Sequence, residues 1–185
     1  MKTATATLKS LTPYSQSKPI DSPRDPKETA DDHERRTWRE RMHVTSTGHV
    51  MIPPMSFKNC VSEVAKFLSK QIPGKGKSTY TKHFEAGVMV LEPLILKVKA
   101  ADIKAERLYV PSDGRRGGPK RVWKYFPLIP EWGGKVQFLI LDETITKDVF
   151  RDHLKEAGQF IGVGRFRPRN NGYYGRFEVT EFEWK

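Results

Sequence analysis

Hydrophobic and polar positions along the chain follow two periods, and each period predicts one type of element. Strict alternation over residues 3–11 predicts a β-strand with one buried face. Apolar residues at helical spacing over residues 57–68 predict an amphipathic helix, with Ser56 as its N-cap. A second helix is predicted after Thr146, with Gly158 as its C-terminal stop.

Shorter runs rich in apolar residues predict the remaining strands. These runs cover residues 50–54, 88–91, 94–99, 107–110, 121–129, 135–141 and 174–184. The runs at 107–110 and 121–129 flank a glycine-rich turn, so we expect them to pair as a hairpin. The apolar positions of the last run change phase between Val179 and Phe182, which predicts a β-bulge.

The order of these elements predicts an α+β fold. Strand, helix, strands, helix and strand match a ferredoxin-like, or RRM-like, β-α-β-β-α-β core within one domain over residues 1–185. Residues 15–40 are dominated by Ser, Pro, Asp, Lys and Glu, so we expect a long, mobile polar loop there. Residues 74–130 are too many for a simple crossover, so we expect an inserted hairpin subdomain in that region.

Composition and charge narrow the classes of function. Lys and Arg number 33 against 22 Asp and Glu, and the net charge of +11 attracts polyanions such as nucleic acid. A single cysteine, Cys60, excludes an intramolecular disulfide and a cysteine-based zinc site. The chain lacks an apolar run of the roughly 20 residues that a membrane span needs, and it lacks an apolar signal segment. We therefore expect a cytoplasmic protein with no membrane partner.

The strongest chemical signal is the glycine- and arginine-rich segment at residues 162–177. Arginine forks bind phosphates, while aromatic rings stack on unpaired bases. The segment offers both types of side chain: Arg165, Phe166, Arg167, Arg169, Tyr173, Tyr174 and Arg176. A second basic and glycine-rich segment contains Arg115, Arg116 and Lys120. We expect the fold to gather these loops into one groove, although a solvated glycine hairpin remains the alternative.

Motifs for cofactors are incomplete. Gly76-Lys77-Ser78 ends like a phosphate-binding loop, but Gln71 stands where the first glycine is required. Gly162 and Gly164 begin a dinucleotide pattern whose third glycine is replaced by Arg167. The five histidines do not have metal-ligand spacing. We predict no cofactor and no metal.

Three segments resemble the RAMP superfamily, whose members include the backbone subunits of multisubunit CRISPR effector complexes. MIPPMSFKNCVSEVAKFL at residues 51–68 resembles the family's strand-to-helix signature, IPGSSLKGxLR. IGVGRFRPRNNGYYGRFEV at residues 161–179 resembles its C-terminal glycine-rich loop, and residues 6–18 resemble its first strand. The resemblance implies an RRM-like palm, an inserted thumb, and binding of single-stranded RNA through Lys58 and Arg165.

The predicted function is therefore single-stranded nucleic-acid binding, with RNA favoured, without catalysis. Self-assembly along the nucleic acid and contact with CRISPR effector proteins are the partners that the resemblance implies. Three alternatives stay open: a phage protein that binds single-stranded DNA in replication or recombination, an anti-CRISPR mimic of an effector subunit, and a metal-dependent ribonuclease. The ribonuclease would use the acidic stretch Asp31-Asp32-His33.

Overall fold

The computed structural model describes residues 1–114 and 117–185 and confirms the α+β class. The strands are β1 (Lys2–Ser10), β2 (His49–Ile52), β3 (Val88–Met89), β4 (Leu94–Lys99), β5 (Lys104–Pro111), β6 (Arg121–Leu128), β7 (Gly133–Ile140) and β8 (Phe177–Trp184). The helices are α1 (Ala30–Thr37), α2 (Pro54–Leu68), α3 (Thr81–Gly87) and α4 (Lys147–Glu156). Among the described residues, none of these helices has the length and apolar character that a membrane crossing requires.

The centre of the fold is a four-stranded antiparallel sheet with the strand order β3-β7-β1-β8. The alternation in β1 buries Ala4, Ala6 and Leu8 and leaves the intervening threonines half-buried. Helices α2 and α4 cover the buried face, where Phe57 contacts Phe177 and Phe150 contacts strands β7 and β8. The predicted bulge is confirmed, because the register of β1 against β8 shifts between Thr7 and Leu8.

Helix α2 begins three residues earlier than predicted. Pro53 occupies the N-cap and Pro54 is the first helical residue, so Ser56 lies inside the first turn and is not the cap. Proline suits this position because the first amide groups of a helix have no partner within the helix. The N-terminal end of α2 lies beside Gly164 and Arg165 of the glycine- and arginine-rich segment, since Pro53 and Ser56 line a cavity together with these two residues.

Helix α4 begins as predicted and ends differently. The Thr146 side chain accepts a hydrogen bond from the Val149 amide at 3.4 Å. Gly158 does not stop the helix, since a π-helical turn continues through Ala157–Ile161. A Cβ at Gly158 would collide with the Phe177 carbonyl oxygen, so this glycine allows close contact between the helix and strand β8.

A helix, α1, occupies residues that the sequence predicted as loop. Thr29 caps it by accepting from the Asp32 amide at 3.2 Å, and acidic residues in its first turn complement the helix dipole. Helix α1 and the 3₁₀ turn Trp38–Arg41 pack against strand β6 of the hairpin formed by β5 and β6. Contact with the hairpin partly buries one side of this helix, although the polar sequence of the helix has no apolar face that would predict such packing.

We predict that His153 makes the fold sensitive to mild acid. The ring packs 4.6 Å from Phe84, its Nδ1 lies 2.7 Å from the Val149 carbonyl oxygen, and burial lowers the pKa of His153. The unfolded chain therefore binds a proton more readily, so stability is lost as pH falls below the ordinary histidine pKa of about 6.5. We would measure thermal unfolding at pH 7.5 and pH 5.5, each about one unit from that pKa. Between these two pH values, Tm should fall less for His153→Phe than for the wild type. Parallel losses would contradict the prediction.

Candidate nucleic-acid interface

The glycine- and arginine-rich loop at residues 162–176 is anchored on the segment that follows β1. The Arg165 amide donates to the Ser15 carbonyl oxygen at 2.9 Å, and the Gly175 amide donates to that of Pro13 at 2.8 Å. Within the loop, the Tyr174 amide donates to the Phe166 carbonyl oxygen at 3.0 Å. These bonds hold the loop in a defined position beside the sheet.

The glycines of this loop allow the chain to pack against itself. Gly164 has φ +81°, and a Cβ there would collide with the Tyr14 ring. Gly175 has φ +79°, and a Cβ there would collide with the Val163 carbonyl oxygen. At both positions the protein itself fills the space, so neither glycine leaves room for a phosphate. In contrast, the space around Gly114 at the hairpin tip is open.

A cavity of about 760 Å³ lies between this loop and the β5–β6 hairpin, and we call it the hairpin cavity. Strand alternation aims Glu106, Leu108, Lys124 and Phe126 of the hairpin toward one face. The described residues that line the cavity include four cations and one carboxylate: Arg41, Arg121, Lys124 and Arg165 against Glu106. The lining is therefore positively charged, as the loop composition predicted.

Arg165 lies at the centre of the charged lining. Its guanidinium carbon is 3.7 Å from the centroid of the Phe126 ring, and that of Arg41 is 4.9 Å from the same centroid. Burial lowers the pKa of Arg165, whereas the nearby Glu106, whose Oε2 is 3.7 Å from Arg165 Nη2, opposes that shift. Arg41 is already paired with Glu34 at 2.8 Å, so it is Arg165, in a partly dry site, that favours an additional anion.

The single carboxylate in the hairpin cavity is already engaged. The Tyr174 hydroxyl lies 2.7 and 2.8 Å from the two Glu106 carboxylate oxygens, and burial together with this carboxylate raises the pKa of Tyr174 to about 12. The hydroxyl therefore stays protonated at neutral pH and donates to Glu106. This bond and the nearby Arg165 guanidinium, at 3.7 Å, partly offset the negative charge that Glu106 presents to a phosphate.

Phe166 brings an exposed ring to the cavity. The residue is 50% exposed and has a left-handed backbone with φ 54°, which is uncommon for a bulky residue. A Cβ at Gly172 would collide with the Phe166 carbonyl oxygen, so the close approach of these two backbone segments requires a glycine. The ring contacts Tyr174 edge to face, with centroids 6.0 Å apart, and leaves much of its surface open to solvent.

A smaller cavity of about 250 Å³ adjoins the first and shares Ser17 and Arg165 with it. Its other basic side chains are Lys18 and His43, and it lies at the N-terminal end of α2 beside Ser56. Burial, and then the charge of Lys18, lowers the pKa of His43, so this histidine is neutral at neutral pH. The two cavities form a continuous basic depression around Arg165.

Lys58 does not line either cavity. Its ammonium donates to Ser62 at 2.6 Å and to the carbonyl oxygens of Phe84 and Glu85 at 3.3 and 2.8 Å. It thereby holds the C-terminal end of helix α3, and burial lowers the pKa of Lys58. Its predicted contact with RNA stays a prediction that the geometry does not support.

The other predicted residues divide between structural contacts and the exposed surface. Arg167 donates to Glu63 of α2 at 2.8 Å, and Arg176 donates to the Gln159 carbonyl oxygen at 3.1 Å. Three residues are exposed and line neither cavity: Lys120, Arg169 and Tyr173. The predicted contacts Arg115 and Arg116 lie outside the described residues. The structure thus brings together Arg165, Phe166 and Tyr174 from the predicted set.

Sequence reasoning missed several residues of the hairpin cavity, among them Arg41, Glu106 and Phe126. Arg41 lies one residue beyond the loop predicted over residues 15–40, and its guanidinium donates to both carboxylate oxygens of Glu34 at 2.8 and 2.9 Å. Glu106 and Phe126 face each other across the hairpin. The alternation of the two strands was the available signal for this pair, while the position of Arg41 depends on the packing of α1.

The acidic stretch considered for a ribonuclease is engaged in contacts of helix α1. Asp31 pairs with Arg35 at 3.0 Å and with Arg107 at 3.3 Å. Asp32 accepts from the Thr29 hydroxyl at 2.6 Å. Across residues 1–114 and 117–185, His, Cys, Asp and Glu side chains do not form a group of three that could hold a metal ion.

Comparisons with known proteins give weak structural likenesses. No family model and no curated protein matches the sequence. The crystal structure of Cmr6 from Pyrococcus furiosus is similar over 97% of this chain and 99% of its own, with 14% identity and a TM-score of 0.42. A CRISPR RNA-guided surveillance complex contains a chain similar over 96% of this chain and 66% of its own, with 10% identity and a TM-score of 0.40. At these scores neither likeness carries an argument about fold or function.

Proposed function

We propose that the protein binds single-stranded nucleic acid, RNA in the first place, in the hairpin cavity. The observation that carries the proposal is the lining: four cations face one carboxylate, which is bonded to Tyr174, and one of these cations, Arg41, also pairs with Glu34. Exposed Phe166 supplies a ring on which an unpaired base can stack. A polyanion satisfies the charges, while the open aromatic surface suits unpaired bases better than a closed duplex.

The proposal is tested by reversing two charges that contribute little to the fold. Arg121 is exposed, and the Lys124 ammonium donates to the Ser112 carbonyl oxygen at a long distance of 3.4 Å. Because a charged contact contributes about 1.5–3 kcal/mol, the double variant Arg121→Glu/Lys124→Glu should lose at least about 100-fold in affinity. Fluorescence polarisation with a labelled single-stranded oligonucleotide measures this loss.

A matched control separates a local site from general attraction. Lys97 and Lys99 are exposed on β4 and line neither cavity, so Lys97→Glu/Lys99→Glu changes the net charge equally. At physiological salt, where screening acts within about 8 Å, the control should lose less than about fivefold. Equal losses in both variants, or no affinity of the wild type for any single-stranded oligonucleotide at low salt, would refute the proposal.

We further propose that the core is ferredoxin-like and that the chain is a RAMP relative that works in a CRISPR effector assembly. The strand order β3-β7-β1-β8 supports the core, because α2 follows β1 and α4 joins β7 to β8. The three resembling segments support the relation. Molecular size and absorbance ratio of the purified protein, before and after nuclease, test assembly on nucleic acid: a monomer unaffected by nuclease or added RNA would contradict it.

A further inference from the structure

The β5–β6 hairpin has a second surface, the outer face, on the side opposite Glu106, Leu108, Lys124 and Phe126. We define the outer face by Arg107, Tyr109, Trp123 and Tyr125, which share one side of the hairpin because cross-strand partners and alternate residues point the same way. Tyr109 pairs with Trp123, and Arg107 pairs with Tyr125. The two glycine-rich segments from which the site was predicted contain none of these four residues.

The outer face carries aromatic rings that remain exposed. Tyr109 is 51% exposed and Trp123 is 42% exposed, and their ring centroids are 5.0 Å apart. Two neighbouring rings of this size at the surface leave apolar area in contact with water, which costs free energy unless a ligand covers them. A ligand with flat, apolar faces is therefore favoured.

Arginines surround these rings. The Arg107 guanidinium carbon lies 4.1 Å from the Trp123 centroid and 5.8 Å from that of Tyr125, and Arg121 lies 5.8 Å from that of Tyr109. The carboxylate of Asp31 contacts Arg107 at 3.3 Å but also pairs with Arg35. Cations between flat rings match a ligand that alternates anionic groups with planar groups, which is the chemistry of a nucleic-acid strand.

The outer face is continuous with the hairpin cavity. Tyr109 of the outer face also lines the hairpin cavity, and so does Arg121, whose guanidinium carbon lies 5.8 Å from the Tyr109 centroid. A strand that leaves the cavity can therefore cross the edge of the hairpin onto the outer face without leaving basic surface.

We propose that the outer face is a stacking platform for bases of the same single-stranded nucleic acid that the hairpin cavity binds, an inference that rests on the proposed function. Tyr109 and Trp123 stack on the bases, and Arg107 stays on the indole and contacts a phosphate. The strand thus contacts the hairpin on two faces, and the bases contribute affinity independently of the phosphates.

The test compares oligouridine with an abasic oligomer that has the same number of phosphates. Wild-type protein should bind oligouridine about tenfold to a hundredfold more tightly for each stacked base. The variant Trp123→Ala should reduce this preference about tenfold and keep its affinity for the abasic oligomer, because Trp123 does not line the hairpin cavity. As a control, Phe67→Ala/Phe160→Ala removes another exposed aromatic pair, 5.8 Å apart, and should leave the preference unchanged.

Tryptophan emission reports the contact directly. Trp38 and Trp132 are each 6% exposed and Trp184 packs against Phe150 and Phe182 at the end of β8, so stacking of a base on the outer face should quench mainly Trp123. The variant Trp123→Phe keeps a ring and should bind oligouridine while losing the quenching. Equal binding of both oligomers by wild type, with unchanged emission, would overturn this inference, leave the proposed function standing and assign the outer face to a protein partner. Absence of binding to either oligomer would overturn both.

Discussion

Arg165→Met should bind single-stranded RNA about tenfold to a hundredfold more weakly than the wild type, with little change in stability. Methionine keeps a long apolar side chain over the Phe126 ring, where the guanidinium carbon now lies 3.7 Å from the centroid. What is removed is the charge that both cavities share. If Arg165 contacts one phosphate, the slope of log affinity against log salt should also become shallower by about 0.7. Fluorescence polarisation at several salt concentrations measures both effects.

Arg167→Met is the matched control for this prediction. Arg167 lies in the same loop but lines neither cavity, and it donates to Glu63 at 2.8 Å. Its loss should leave affinity within about threefold, yet it should lower thermal stability, because the partly buried Glu63 carboxylate loses its partner. If Arg167→Met weakened RNA binding as much as Arg165→Met, charge in the loop as a whole would matter and the central role of Arg165 would be refuted.

Gly175→Ala should destabilise the protein by about 3 kcal/mol, which lowers Tm by roughly 6–12 °C for a chain of this size. The backbone at Gly175 has φ +79°, a conformation that costs alanine energy, and the added Cβ would collide with the Val163 carbonyl oxygen. The Val163 backbone cannot shift easily to relieve this collision, because its amide donates a hydrogen bond to the Gly175 carbonyl oxygen at 3.0 Å. Thermal and denaturant unfolding measure the loss.

Gly114→Ala supplies the comparison. Gly114 also has a positive φ, +71°, but the space around it is open, so alanine there should cost only about 1–2 kcal/mol of backbone strain. A Gly175→Ala variant that is as stable as Gly114→Ala but fails to bind RNA would show that the glycine admits a ligand. It would contradict the structural role that we assign to the loop glycines.

Elements with a clear local pattern were predicted well. The alternation in β1, the helical spacing in α2 and the pairing of β5 with β6 all follow from residues that are close in sequence. The phase change near Val179 identified the bulge for the same reason, because one extra residue reverses which side chains face the core. Such patterns show which face of a strand or helix is buried, because the apolar residues lie on the side that packs against a neighbouring element.

Elements without such a pattern were missed. Helix α1 is polar, with buried Thr37 at its end, and its packing against the hairpin was not visible in the sequence. The prediction for Lys58 fails to find support for a related reason. The family-like motif indicates a lysine that could bind a phosphate, but the Lys58 ammonium donates to the Glu85 carbonyl oxygen near the end of helix α3. Propensity and motif spacing do not report which distant carbonyl groups a side chain reaches.

The amino-acid sequence by itself determined the α+β class, the basic character of the loops and the side chains capable of binding a polyanion. Only the tertiary structure decided which of them act together, since Arg165, Phe166 and Tyr174 meet Arg41 and the hairpin, whereas Arg167 and Lys58 bond to the protein itself. The physical reason is that charge and periodicity are local properties of a chain. The competition between a ligand and an internal partner for the same cation depends on distances of a few ångströms, which are set by packing between elements far apart in sequence.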